Sequence, residues 1–284
     1  MPTIAIVTDT DSSLPPDLAE QHGILLVPIT INFGDESFQT GIDIDDAALF
    51  ARVDREGQLP STAAPTPGAF AKAFTDAMER GADAIVCLCV SSEISATYTA
   101  ALTARDLMPD CNITIIDSQT VSMTQGFMAI AAAEAAARSA SVEEVIDAAH
   151  EIGQRTVLYG ALSTVKYVAM SGRIGHLAAG MATLLNIRPI LAPRAGRLEM
   201  IEKVRTRKRS WERMVELLRR DVSGRPVERA ALLHVNAEED AREFYGLLCG
   251  SIDCPPDPSI SPISAGLSVH TGAGLVGAAL VVGR

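Results

Sequence analysis

Aromatic residues make up only 4% of this 284-residue chain, with a single tryptophan. Its interior must therefore be packed with aliphatic side chains and alanine. Cysteine is scarce as well: Cys87, Cys89, Cys111, Cys249 and Cys254 are odd in number and form no Cys-x-x-Cys. That argues against a disulfide framework and against a cysteine-based metal site. Cys87 and Cys89 stand two apart in an apolar run, where small buried filler is the simpler role. No apolar run reaches the roughly 20 residues that span a bilayer, and the longest, 127–137, is interrupted by Glu134. Met1-Pro2-Thr3-Ile4 leads into a strand without a basic region, so no secretory signal is expected. The expectation is a reduced, cytoplasmic protein with no metal and no cofactor.

Positive charge is short overall and unevenly placed. The net charge is −11, yet residues 194–229 hold 12 of the 24 basic residues against 6 acidic ones. The rest of the chain is strongly acidic. Nucleic-acid binding needs a basic face to neutralise phosphate, so that class is excluded. The segment Lys203-Val204-Arg205-Thr206-Arg207-Lys208-Arg209, followed by Arg213, reads either as a solvated strand end and helix start or as a docking patch. Its partners would be an acidic protein or, transiently, anionic lipid head groups.

What remains is 48% hydrophobic and 21% charged, the balance of a globular chain long enough for two domains. In the first half, strands are predicted at 4–7, 24–31, 84–90 and 113–116, with helices at 67–80, 95–107 and 125–137. That alternation predicts an α/β domain over 1–155: three layers, a parallel sheet with helices on both faces. After a helix at 142–154, capped by Ser141, the texture changes. Strands are predicted at 157–162, 197–204, 230–235 and 274–282, a mostly helical stretch at 163–191 and a helix at 209–220. A second α/β domain over 156–284 is expected, with a smaller mixed sheet and helices.

Three of the predicted parallel strands end in polar clusters: Thr8-Asp9-Thr10, Ser91-Ser92 and Asp117-Ser118. Ligands of open parallel sheets bind at the strands' C-terminal ends. The run Ser91-Ser92-Glu93-Ile94-Ser95-Ala96-Thr97-Tyr98 passes from a strand into a helix. Backbone N–H groups and the helix dipole suit an anion there, and ordinary helix capping accounts for the same residues. Gly272-Ala273-Gly274-Leu275-Val276-Gly277 fits G-x-G-x-x-G but has no following helix and no downstream acid, so its glycines are assigned to a tight turn. Ser171-Gly172-Arg173 carries an arginine on a glycine turn, suited to a carboxylate, a phosphate or a structural acid. His270 stands beside the glycine turn.

Taken in order, Ile6-Val7-Thr8-Asp9-Thr10, 60–65, 91–98, Ile116-Asp117-Ser118, Ser171-Gly172-Arg173-Ile174, 184–191 and His270-Thr271-Gly272-Ala273-Gly274 resemble the DegV family. These are bacterial fatty-acid-binding proteins that include the carrier subunits of fatty acid kinase. The likeness covers essentially the whole chain. It implies a non-catalytic lipid carrier of two α/β domains that holds a long-chain fatty acid and presents its carboxylate to a partner kinase. It also implies Thr62 and Ser95 as hydroxyl contacts, Arg173 as a nearby positive group and His270 as a head-group partner. Three motifs depart from the family pattern: Thr62-Ala63-Ala64-Pro65 in place of Thr-Ser-Gln-Pro, Ser95-Ala96-Thr97-Tyr98 in place of Ser-Gly-Thr-Tyr, and Ser171-Gly172-Arg173 in place of Gly-Gly-Arg. Met170, Leu177, Met181, Leu184, Ile187 and Ile190 are inferred to line the tail. Two other classes stay open on residue types alone. One is an acyl hydrolase or transferase using Ser95 and His270 with Asp9 or Asp117; the other is a phosphometabolite binder at Ser91-Ser92.

Overall fold

The structure, a computed structural model, describes residues 2–171 and 187–284. Its packing separates two compact units, Met1–Asp45 with Pro60–Gln154, and Asp46–Leu59 with Arg155–Arg284. A single crossing near residue 155 was expected. The segment Asp46–Leu59 adds an excursion, because its one helix finds its apolar partners in the second unit.

Along the first unit run β1 (Ile4–Asp9), α1 (Pro16–Gln21), β2 (Leu25–Val27), β3 (Thr30–Phe33) and β4 (Glu36–Gln39). After the excursion helix α2 (Asp46–Glu56) come β5 (Ser61–Ala63), α3 (Pro67–Glu79), β6 (Ala84–Cys89), α4 (Thr97–Asp106), β7 (Ile113–Asp117), α5 (Met123–Ala137) and α6 (Val142–Arg155). Strands β2-β1-β6-β7 form a four-stranded, all-parallel sheet. Side chains alternate faces along a strand. Val7, Ile85, Cys87 and Cys89 pack with Phe70 and Phe74 of α3 and with Ala101 and Ala104 of α4. Thr8, on the other face, is met by Gln125 of α5. The result is the three-layer α/β arrangement, and α5, packed on β1 and β6 and met on another side by α6, where Gly153 lies against Met128, is buried along almost its whole length. The helix starts follow sequence rules: Thr66 accepts from the Ala69 N–H ahead of Pro67, and Ser141 with Glu144 forms a reciprocal capping box.

One predicted strand, 24–31, splits in two. Pro28 cannot donate to a ladder, and beyond it β3 leaves the parallel sheet to build a separate three-stranded antiparallel sheet, β4-β3-β5.

The second unit comprises α2 with β8 (Thr156–Ala161), α7 (Lys166–Ser171), β9 (Arg188–Arg194), β10 (Arg197–Val204), α8 (Arg207–Val222), β11 (Val227–His234), α9 (Glu238–Cys249), β12 (Ser259–Pro262), α10 (Ala265–Thr271) and β13 (Val276–Val282). Its sheet runs β10-β9-β8-β13-β11-β12 and is mixed, with only β11 and β12 parallel. Expected to be the smaller sheet, it is the wider, with six strands against four. Two of its strands are not evident in the sequence: β9 falls at the end of a stretch expected to be helical, and β12 lies beyond a proline-rich loop. Helices α8 and α9 cover one face around Trp211, Met214 and Phe244. Helix α2 docks on α10 and places Phe50 edge-on to Tyr167 of α7 at 6.2 Å. Among the described residues, no helix is long and apolar enough to cross a membrane.

Gly277 lies at the centre of this sheet, where an added Cβ would come within 2.6 Å of the Tyr159 carbonyl oxygen on β8. The contact is with backbone and cannot be relieved by a rotamer change. Gly277→Ala is expected to destabilise the protein by about 1–3 kcal/mol, read as a lowered urea midpoint.

Candidate functional site

Because its four strands are parallel, the first sheet presents all their C-terminal ends along one edge. Asp9, the serine loop after β6, and Asp117 meet there. Asp9 is fully buried and accepts three N–H donors: Val90 at 2.7 Å, Asp11 at 3.0 Å and the Gln125 side chain at 3.0 Å. Burial pushes its carboxyl up to about 6, against the pull of those hydrogen bonds. Asp117 takes the Ser92 hydroxyl at 2.5 Å and its N–H at 3.2 Å, and also the Gln119 N–H. Ser122, at the start of α5, holds φ 57° and ψ −149°, a region that side chains avoid. Its N–H bonds to the Asp11 carbonyl and its hydroxyl to Ser13, which keep it there.

The serine loop is more self-contained than its sequence suggests. The Glu93 N–H bonds to the Ser91 hydroxyl, the Ile94 and Ser95 N–H groups to the Ser91 carbonyl, and the Thr97 N–H to the Ser95 hydroxyl. The expected cradle of unpaired backbone N–H groups is therefore largely consumed by the turn itself. The hydroxyls are what the loop can offer. Ser95 Oγ lies 2.8 Å from Thr97 Oγ1. Thr97 is buried and Ser95 only partly so. Either hydroxyl of the pair can donate to the other; when Thr97 donates, Ser95 accepts twice and its own O–H is available to an anion. Thr62, half-buried, sits on β5 opposite Ile31 of β3 in the same unit.

In the second unit, His270 is half-buried near the end of α10. That helix is fixed by the Ser268 hydroxyl, which donates to Asp46 at 2.6 Å and so ties α10 to α2. Gly272, next in line, has φ 81° and lies against Tyr167, where a Cβ would stand 2.1 Å from the ring. The glycine motif thus makes a turn into β13, a strand, as its missing helix implied. Arg173, Leu177, Met181 and Leu184 lie outside the described residues. Ile190 belongs to β9 and is buried in the core of the second sheet. Ile187 directly precedes that strand and is half-buried.

For hydrolysis, the serine needs a histidine that is oriented by an acid. Asp9 and Asp117 are both occupied by N–H and O–H donors from their own surroundings, and neither bonds a histidine among the described residues. No group of three or more His, Cys, Asp or Glu side chains able to hold a metal occurs among the described residues.

A model of the DegV family, described as an uncharacterised protein family, matches residues 3–282. The chain belongs to the DegV family. A DegV domain-containing protein of Streptomyces coelicolor is 34% identical over 274 residues, 96% of each chain. Among solved structures, a DegV family protein of Thermus thermophilus, described for its fatty acid binding, superposes with a TM-score of 0.88 at 29% identity, covering 99% of this chain and 100% of that one. DegV of Bacillus subtilis, described as a fatty acid binding protein, also gives 0.88 at 28% identity, with both chains fully covered. Sequence reasoning from the DegV pattern did not single out Thr97 or Gln125. The buried Thr97 beside Ser95 is legible as a fourth hydroxyl in the run, whereas Gln125 carries no local signal.

Asp9 makes this DegV chain's stability respond to pH. Its folded-state value, about 6, lies above the ordinary 3.8. The folded protein therefore holds this proton more tightly than the unfolded chain does. The stability it contributes is full below the ordinary value and is lost as pH rises toward 6. Asp9→Asn should remove this falling component from urea midpoints measured between pH 4 and 7.

Proposed function

We propose that this protein binds a long-chain fatty acid and carries it without acting on it. Thr62, Ser95, Arg173 and His270 receive the carboxylate and apolar side chains enclose the tail. The observation that carries the reading is the Ser95–Thr97 hydroxyl pair, 2.8 Å apart, at the C-terminal edge of a parallel sheet. It is supported by DegV relatives described as fatty-acid-binding that match the whole chain at 28–29% identity.

Energetics divide the labour. Burying about fifteen methylenes yields on the order of 12 kcal/mol at about 0.8 kcal/mol each, from which ordering of the tail and loss of free motion subtract several kcal/mol. The tail supplies the affinity. A carboxylate buried without donors would cost several kcal/mol, so the head-group residues cancel desolvation and select for an acid.

A fatty acid kinase is the proposed partner, and the basic segment its docking surface. The paired part of that segment has less to offer than its sequence suggests. Arg207 bonds Asp240 and Glu243, Arg209 bonds Glu212, and Arg213 bonds Glu202 and Glu216. Lys203, Arg205 and Lys208 are exposed and pair with no acid among the described residues. These three carry the docking proposal.

Native mass spectrometry of the purified protein should reveal a bound fatty acid. Ser95→Ala and Arg173→Ala should each raise the dissociation rate of palmitate roughly tenfold, the loss of one charge-assisted hydrogen bond. Protein that never carries lipid and never takes up added palmitate would end this reading. Reversing Lys203, Arg205 and Lys208 to glutamate should slow acyl-phosphate formation by the kinase at least tenfold while palmitate retention stays unchanged. Unaltered phosphorylation would remove the docking surface and leave lipid binding intact.

A further inference from the structure

Among the described residues, Asp9 is the one fully buried carboxylate that the proposed head-group site does not use. Its three donors come from three different elements. The Asp11 N–H belongs to the turn after β1, the Gln125 amide to α5, and the Val90 N–H to the first residue beyond β6. Val90 opens the loop that carries Ser91 and Ser95. Beyond it the loop is held to its neighbours by the Ser91 N–H on the Thr120 carbonyl and by Ser92 on Asp117. Gln125 is itself locked: its amide also donates to Thr8 Oγ1 at 2.9 Å, and the Thr8 hydroxyl donates to the Leu88 carbonyl. The Gln125 carbonyl oxygen is buried and bonds nothing among the described residues.

We propose that Asp9 is the positioning residue of the serine loop: its ionised carboxylate fixes Val90, and through Val90 the placement of Ser95, and a proton on Asp9 loosens that hold. The ligand part of this inference rests on the fatty-acid reading. Every partner of Asp9 is a donor, so the carboxylate suits all three at once. A protonated carboxyl is a weaker acceptor and brings a hydrogen into a ring of hydrogens. The unengaged Gln125 oxygen offers that hydrogen a place if the amide turns over, at the expense of its bond to Thr8.

The charged and titratable groups around Asp9 are few. Cys89 comes from β6, with Asp117 at the end of β7 beside it, and Asp11 from the adjoining turn. The part of α5 packed on it, Met123–Phe127, has no charged side chain. Burial favours proton uptake by Asp9, and the hydrogen bonds to it oppose that uptake. The raised carboxyl places that event near pH 6.

Hydrogen–deuterium exchange of the intact protein, corrected for intrinsic rates, tests the loop directly. Exchange at residues 90–96 is expected to speed up as pH falls through about 6, with β13 unaffected. Asp9→Asn should abolish this pH dependence and leave the loop exchanging roughly tenfold faster at pH 7.5, the loss of a charge-assisted bond. Palmitate should dissociate faster by a similar factor. Gln125→Leu keeps the carboxylate and removes one of its donors, so the midpoint should move to higher pH, a shift that a merely structural role would not produce. This variant and the wild-type profile decide the matter if Asp9→Asn does not fold. Loop exchange insensitive to pH in the wild type, or a midpoint unmoved in Gln125→Leu, would overturn the proposal, as would a loosened loop with an unchanged palmitate rate. A wild type that never binds palmitate would defeat the lipid reading alone, and the exchange profile would still judge Asp9.

Discussion

Parallel strands impose an asymmetry on the first unit that governs most of what is found there. All four strands of β2-β1-β6-β7 point the same way, so their C-terminal ends and the loops that follow them line one edge. Polar residues at these strand ends are forced into one another's company. A carboxylate caught in that position has no water to solvate it, so it must be satisfied by protein donors or become neutral. Asp9 takes the first course at neutral pH, and the loops around it are shaped by its demand for N–H groups.

The same edge explains how capping and ligand holding coexist in the serine loop. Ser91 and Ser92 are committed to the turn and to Asp117, so they build the scaffold. Ser95 accepts from the Thr97 N–H and shares a hydrogen bond with the Thr97 hydroxyl in which either group can donate. When Thr97 donates, Ser95, which unlike Ser91 is partly exposed, is able to donate outward. Hydroxyl composition alone cannot make that distinction, because it depends on which carbonyls and carboxylates the fold brings near.

How much could be read from the chain follows the range of the interactions involved. The Ser141–Glu144 capping box, the Thr66-Pro67 helix start and the apolar run at β6 are encoded within a few residues, and the fold contains them. The split at Pro28 and the strand β9 were not legible in the same way. β9, Arg188–Arg194, is a short apolar segment that reads as helix or strand alike until β8 and β10 flank it. Helix α2 lies between two elements of the first unit in sequence, yet its Asp46 and Phe50 are satisfied by Ser268 and Tyr167, more than a hundred residues away. Thr62, Ser95, Arg173 and His270 came from the resemblance to the DegV family. Local sequence offers Ser95 in a serine-rich helix start and Arg173 and His270 at glycine turns, but it gives none of them a ligand role over a structural one, since a ligand residue need satisfy no rule of its own helix or strand.

Charge is the clearest case of a sequence signal reshaped by tertiary structure. Residues 203–213 form a dense positive run, but α8 turns Arg209 and Arg213 toward glutamates on α8 itself and on β10, while Arg207 lies over the Trp211 ring at 4.3 Å and reaches the acids of α9. Exposed pairs of this kind contribute little to stability, yet they cancel much of the field that the run would otherwise project. The long-range potential then depends on the few cations left unpaired, and these are steered by the ionic strength of the surroundings. A partner drawn to this surface would recognise the spacing of Lys203, Arg205 and Lys208 rather than the total charge of the segment.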